Sequence, residues 1–226
     1  MVIKVFPKGL IIMKKLLVIS LISLFALTSC HWNRIRGNGS IKTETRDVAA
    51  FEAVTCDGGF EVQIDCQGKQ SLAIETDENL LPLVKTEVYN NTLHVYTKNM
   101  LFPTHRIRIA ISVPNVSEFT SNGSTDGDIN NVNNTALDIN IHGSGKLQLN
   151  GKSGRVKIST SGSSKIDATS LVSENSDIQI NGSGNIRVYA TNSIDVQING
   201  SGTVKYKGEP KSVNQQINGT GRIVRE

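Results

Sequence analysis

Through the second half of the chain apolar and polar side chains alternate, and glycine interrupts the alternation at regular intervals. Leu137, Ile139 and Ile141 lead into one such glycine, and Leu147 and Leu149 follow it. Ile178 and Ile180 lead into another, followed by Ile186 and Val188; Ile194, Val196 and Ile198 lead into a third, followed by Val204 and Tyr206. A spacing of two, dominated by β-branched residues, predicts strands with one buried face. The interruptions share a motif: Ile180-Asn181-Gly182-Ser183-Gly184, Ile198-Asn199-Gly200-Ser201-Gly202 and Ile217-Asn218-Gly219-Thr220-Gly221. Weaker copies surround Gly123, Gly143 and Gly162, so the first glycines recur every 18 to 20 residues.

A fixed period of that size is the mark of a repeat architecture. Each repeat reads as a strand, a tight corner, a second strand and a polar turn, and a unit of this kind cannot bury its apolar side alone. Stacking successive units supplies the missing partner. The expected fold is therefore all-β: a right-handed parallel β-helix over residues 115–226, the hand following the general preference of parallel crossovers. In such a stack Asn181, Asn199 and Asn218 fall above one another, and Ser183, Ser201 and Thr220 form a parallel row of hydroxyls. Turns select these residue types in any case, so the rows serve as hydrogen-bonded corners or as a binding surface. The Asn-Gly-Ser/Thr corners also match a glycosylation acceptor pattern, read here as turn chemistry.

Residues 40–114 keep strand character with a less regular period. Thr55–Ile64 fits the strand–corner–strand template with Phe60 in place of the last glycine. Leu72–Ile74, Leu93–Tyr96 and Arg106–Val113 read as strands, Asp77–Leu81 as a helical turn, Tyr89–Thr92 as a tight turn and Met100–Pro103 as an apolar loop. The region is expected to form an irregular β-rich cap, because an unblocked sheet edge recruits strands from other chains.

Two features at the start change the picture. Met13-Lys14-Lys15 followed by the apolar run Leu16–Leu27 has the form of a signal segment, too short for a confident membrane span. It ends in Leu27-Thr28-Ser29-Cys30, which resembles a bacterial lipobox with Cys30 as the lipidated residue. The expectation is a leader over 1–29, a tether over 30–39, and a lipid-anchored envelope location, with Met1 or Met13 as the start. All charges of that leader are lysines; from Cys30 onward 20 basic residues balance 20 acidic ones. The basic pI thus belongs to the leader, and nucleic-acid binding and electrostatic membrane binding lose their support.

Candidate chemistry is sparse. Cys56 and Cys66 are separated by extended chain and are expected as buried free thiols. The histidines lack ligand-spaced partners, so no metal is expected. Asp126-Gly127-Asp128 lacks the closing Glu of a calcium loop and reads as a solvated turn. Asp177 and Asp195 share one offset from their glycines, and such a stacked pair would be the place for carbohydrate chemistry. No cofactor is expected.

The lipobox, Asn79-Leu80-Leu81-Pro82, the Val113-Pro114 strand end and the repeated Ile-Asn-Gly-Ser-Gly corners resemble the "putative auto-transporter adhesin, head GIN domain" family over residues 48–225. The resemblance implies a right-handed β-helical envelope lipoprotein of a Gram-negative bacterium with an adhesin role and no catalytic residue. The leading expectation is a non-enzymatic lipoprotein, anchored to the membrane by lipid, presenting a β-helical surface to a carbohydrate or protein partner. The alternatives are a β-helical carbohydrate-active enzyme using Asp177 and Asp195, and a purely structural envelope component.

Overall fold

The structure, a computed structural model, describes residues 34–226. The expected leader, Cys30 and the first part of the tether, up to residue 33, lie outside the described residues. Within them the chain is strand almost throughout. The strands are β1 (Arg34–Arg36), β2 (Ile41–Thr45), β3 (Ala53–Asp65), β4 (Ser71–Asp77), β5 (Val84–Tyr89), β6 (Thr92–Thr97), β7 (Met100–Phe102), β8 (Ile107–Ser112), β9 (Glu118–Gly182), β10 (Asn185–Gly200), β11 (Thr203–Lys207), β12 (Ser212–Gly219) and β13 (Arg222–Arg225). One 3-10 turn, Leu81–Leu83, carries Pro82 in its first turn, where a missing N–H is harmless.

The repeats lie beside one another in parallel and in register. Gly182 of β9 faces Gly200 of β10, and Gly200 faces Gly219 of β12. Past the glycine, Ile186 faces Val204 and Val204 faces Ile223. The length of β9 reflects chain that stays extended through several repeats. Asp138 N donates to Ser117 O across two of them, at 2.9 Å. The main sheet runs β13-β11-β10-β9-β3-β8-β4-β2 and does not close into a barrel.

Glycine occupies the corner because nothing else fits. Gly143, Gly162, Gly182, Gly200 and Gly219 all have φ between +124 and +135. A Cβ on Gly200 would stand 2.3 Å from the carbonyl oxygen of Gly182, one repeat below. Positive φ and backbone-to-backbone approach coincide, and only glycine tolerates both.

The glycine column extends into the less regular half. β3 pairs in parallel with the start of β9, Gly58 facing Gly123 and Ile64 facing Ile129. On its other side β3 pairs in parallel with β6 and β8. β3 is therefore one more repeat in the stack, and Phe60 fills the interior at its corner, 1% exposed. Beyond it the direction reverses: β4 runs antiparallel to β8, β2 to β4 and β5 to β6. These strands cover the edge at that end. The β5–β6 hairpin turns through Asn90 and Asn91, both with positive φ, as a two-residue hairpin of this twist requires.

The core is a single aliphatic column. Ile139, Ile158, Ile180 and Ile198 are each fully buried, and Val54, Ile64, Ile74 and Ile109 continue the column toward the covered end. Cys56 and Cys66 are buried free thiols.

Candidate functional site

The corner that the sequence singles out forms a hydrogen-bonded ladder. Asn218 Nδ2 donates to Asn199 Oδ1 at 2.9 Å, and Asn199 Nδ2 donates to Asn181 Oδ1 at 2.9 Å. In-register pairing puts the amides one strand spacing apart, so Asn199 donates to the repeat below and accepts from the repeat above. At the covered end the same column continues as Asn122 Nδ2 donating to Asp57 Oδ1 at 2.6 Å. The hydroxyl row lies one residue past the glycine. Thr220 Oγ1 donates to Ser201 Oγ at 3.0 Å, and Ser183 is exposed below them. His142 stands at the asparagine position of its repeat and is exposed.

Beside this corner lies a polar groove of about 510 Å³ on the sheet face. Gln179, Gln197 and Gln216 form its central column, each three residues before its glycine. Asp177 and Asp195 sit in the same groove, directly paired in register. Sequence spacing brought these two carboxylates together and missed what compensates them. Arg155 Nε donates to Asp177 Oδ2 at 2.8 Å, and a second guanidinium nitrogen reaches the same oxygen. Asn214 Nδ2 donates to Asp195 Oδ1 at 2.7 Å. That hydrogen bond to Asp177, and then its negative charge, push the Arg155 guanidinium further toward its charged form. Each carboxylate of the pair is thus engaged, Asp177 by a guanidinium and Asp195 by an amide donor. The glutamine column was legible as a shared offset from the glycine. Arg155 was not, since it reaches Asp177 diagonally, 22 residues on.

Other candidates resolve into structural roles. Asp126 accepts from Arg106 Nη1 at 2.6 Å and from the Lys146 backbone N–H at 2.9 Å, which occupies both carboxylate oxygens. Among the described residues no group of three or more His, Cys, Asp and Glu side chains is placed to hold a metal ion.

Solved structures share this architecture. A "putative adhesin" from Bacteroides fragilis NCTC 9343 superposes with a TM-score of 0.68 at 22% identity, over 85% of this chain and 100% of that one. A "putative lipid binding protein" from Parabacteroides distasonis ATCC 8503 gives 0.56 at 24% identity, over 86% of this chain and 100% of that one. A "putative adhesin" from the same organism gives 0.55 at 20% identity, over 86% and 100%. At such identities the likeness speaks to the fold alone. No curated protein matches the chain. The family model described as "Putative auto-transporter adhesin, head GIN domain" matches residues 50–210, and the chain belongs to that family.

Proposed function

We propose that this chain is a non-enzymatic lipoprotein of the cell envelope, anchored through Cys30, whose repeats wind as a right-handed parallel β-helix and bind a carbohydrate or protein partner. The observation that carries the reading is the Asn181–Asn199–Asn218 ladder bordering an exposed amide-lined groove. Donors and acceptors recur there at the strand spacing along a rigid backbone, which suits weak, repeated contacts with a polymeric ligand. The adhesin description of the family supports the same class of role. The bet for contact is Asn181, Ser183, Asn199, Ser201, Asn218 and Thr220.

The test uses the soluble Cys30→Ser chain on a glycan array, with sugar-release assays in parallel. Saturable binding that weakens in Asn199→Ala and Ser201→Ala, without turnover, is the expected result. Turnover abolished by Asp195→Asn would overturn it in favour of a carbohydrate-active enzyme. Silence in both assays leaves a structural envelope component. Labelled palmitate should enter the wild-type protein and not Cys30→Ser; label in that variant would refute lipidation at this site.

A further inference from the structure

β7 breaks the rule that apolar side chains turn inward. Met100 is 39% exposed and Phe102 42%, while Leu101 between them packs against the core. Alternation along a strand places Met100 and Phe102 on one outward face. Ile41, 39% exposed, belongs to the same end of the molecule. It pairs with Asp77 across the sheet, and Asp77 in turn accepts a hydrogen bond from the Thr104 N–H, two residues past Phe102. Exposed Arg36 and Lys98 flank β7 in the sheet and in the chain.

The place of this face along the chain says what covers it. Gly37 N donates to Phe102 O at 2.9 Å, so the backbone leading back to Cys30 is stitched to β7. The seven residue steps from Cys30 to Gly37 reach at most about 25 Å fully extended. A lipid on Cys30 therefore holds Phe102 within a short radius of the membrane. Exposed methionine and phenylalanine, with exposed basic residues adjacent in the sheet and the chain, suit an interfacial contact.

We infer that the β7 face, Met100 and Phe102 with Arg36 and Lys98, seats on the lipid surface as a second, protein-borne contact. This rests on the anchoring reading above. A single lipid fixes only distance, whereas two contacts also fix orientation. With β7 at the bilayer, the covered end faces the membrane and the later repeats stack away from it. The corner row then stands clear of the headgroups.

The experiment uses the full lipidated chain in vesicles of phosphatidylethanolamine and phosphatidylglycerol. An environment-sensitive fluorophore is attached at Met100→Cys, and in a second variant at Val172→Cys, an exposed apolar position in the repeats; buried Cys56 and Cys66 stay unlabelled. Emission at 100 should shift to the blue and be quenched by doxyl-labelled lipid, while emission at 172 stays aqueous. Phe102→Cys provides the same readout should Met100→Cys misfold. An aqueous signal at 100 in vesicle-bound protein overturns the inference while leaving the anchor intact. A blue shift that appears with protein concentration and no vesicles assigns the face to a second copy, and also overturns it. Absence of palmitate from the wild-type chain sinks the anchoring reading itself.

Discussion

Ile198 occupies the place that a side chain on Gly221 would need. A Cβ there would come within 2.6 Å of Ile198 Cγ2, and one on Gly202 would meet Ile180 Cγ2 and Cδ1 at 2.8 and 2.9 Å. The two glycines of the corner thus have different duties. At Gly200 and Gly219 the first holds positive φ against a backbone neighbour; at Gly202 and Gly221 the second leaves room for an isoleucine of the preceding repeat. Where the second glycine is replaced, the isoleucine position changes too: Cys56 accompanies Phe60, Ser121 accompanies Thr125, and Thr160 accompanies Ser164. Ser121 Oγ donates to Thr125 Oγ1 at 2.6 Å, fully buried.

That division predicts two kinds of glycine lesion. Gly202→Ala should destabilise the protein by about 1–3 kcal/mol through overpacking against Ile180. The loss should shrink or vanish in an Ile180→Ala background, because the clash is with a side chain. Gly200→Ala meets backbone at positive φ, adding strain of about 1–3 kcal/mol to an overlap that no side-chain truncation relieves. Chemical denaturation of the two double-mutant cycles reads this directly. Equal coupling to Ile180 for both glycines would contradict it.

Thr160 Oγ1 and Ser164 Oγ are buried with no hydrogen-bond partner among the described residues. Leaving such a group unsatisfied costs about 1–3 kcal/mol. Thr160→Val and Ser164→Ala, each nearly isosteric, should therefore hold or raise the melting temperature. A clear fall in both would mean that these hydroxyls are bonded in solution.

Asp77 joins three segments. Its carboxylate accepts from Gly39 N at 2.7 Å, Thr104 N at 2.8 Å and Thr104 Oγ1 at 2.8 Å. Burial pushes its carboxyl up, but the Thr104 and Gly39 N–H groups and the Thr104 hydroxyl outweigh burial and hold it below the ordinary aspartate value. A depressed folded value stabilises the fold above the unfolded pKa of about 3.9 and is lost as pH falls through the folded one. Asp77→Asn should cost about 2–3 kcal/mol at neutral pH, as bonds to a charged acceptor weaken. It should also flatten the acid slope of stability. An unchanged slope would remove Asp77 from the acid response.

The two thiols should be inert in the native state. Burial, with the Asp57 charge adding to it, pushes Cys56 up to about 12. Burial likewise lifts Cys66 to about 11, against a backbone hydrogen bond at Val116 and with help from Asp65. The thiolate is the reactive form, so Ellman's reagent at mildly alkaline pH should label neither until denaturant unfolds the chain. Stoichiometric labelling of the native protein would show that this tier opens.

The repeat, its strands and its corner chemistry were legible in the residues because they are local. A spacing of two marks a buried face, and Gly182, Gly200 and Gly219 recur at intervals that need no knowledge of neighbours. In-register stacking then follows, since a slip of one residue would turn Ile180 and Ile198 outward. What needed the tertiary structure was order and diagonal contact. Gly58 lies on Gly123 although 65 residues separate them, because residues 66–117 leave the stack, cover the far side of β3 and return. No period along the chain records such a detour. Arg155 reaches Asp177 across repeats, and Asp77 gathers Gly39 and Thr104 from either side, because a side chain picks partners by distance in space. The exposed face of β7 belongs to the same class: Met100-Leu101-Phe102-Pro103 reads as an apolar loop, and only its pairing decides which side chains turn inward.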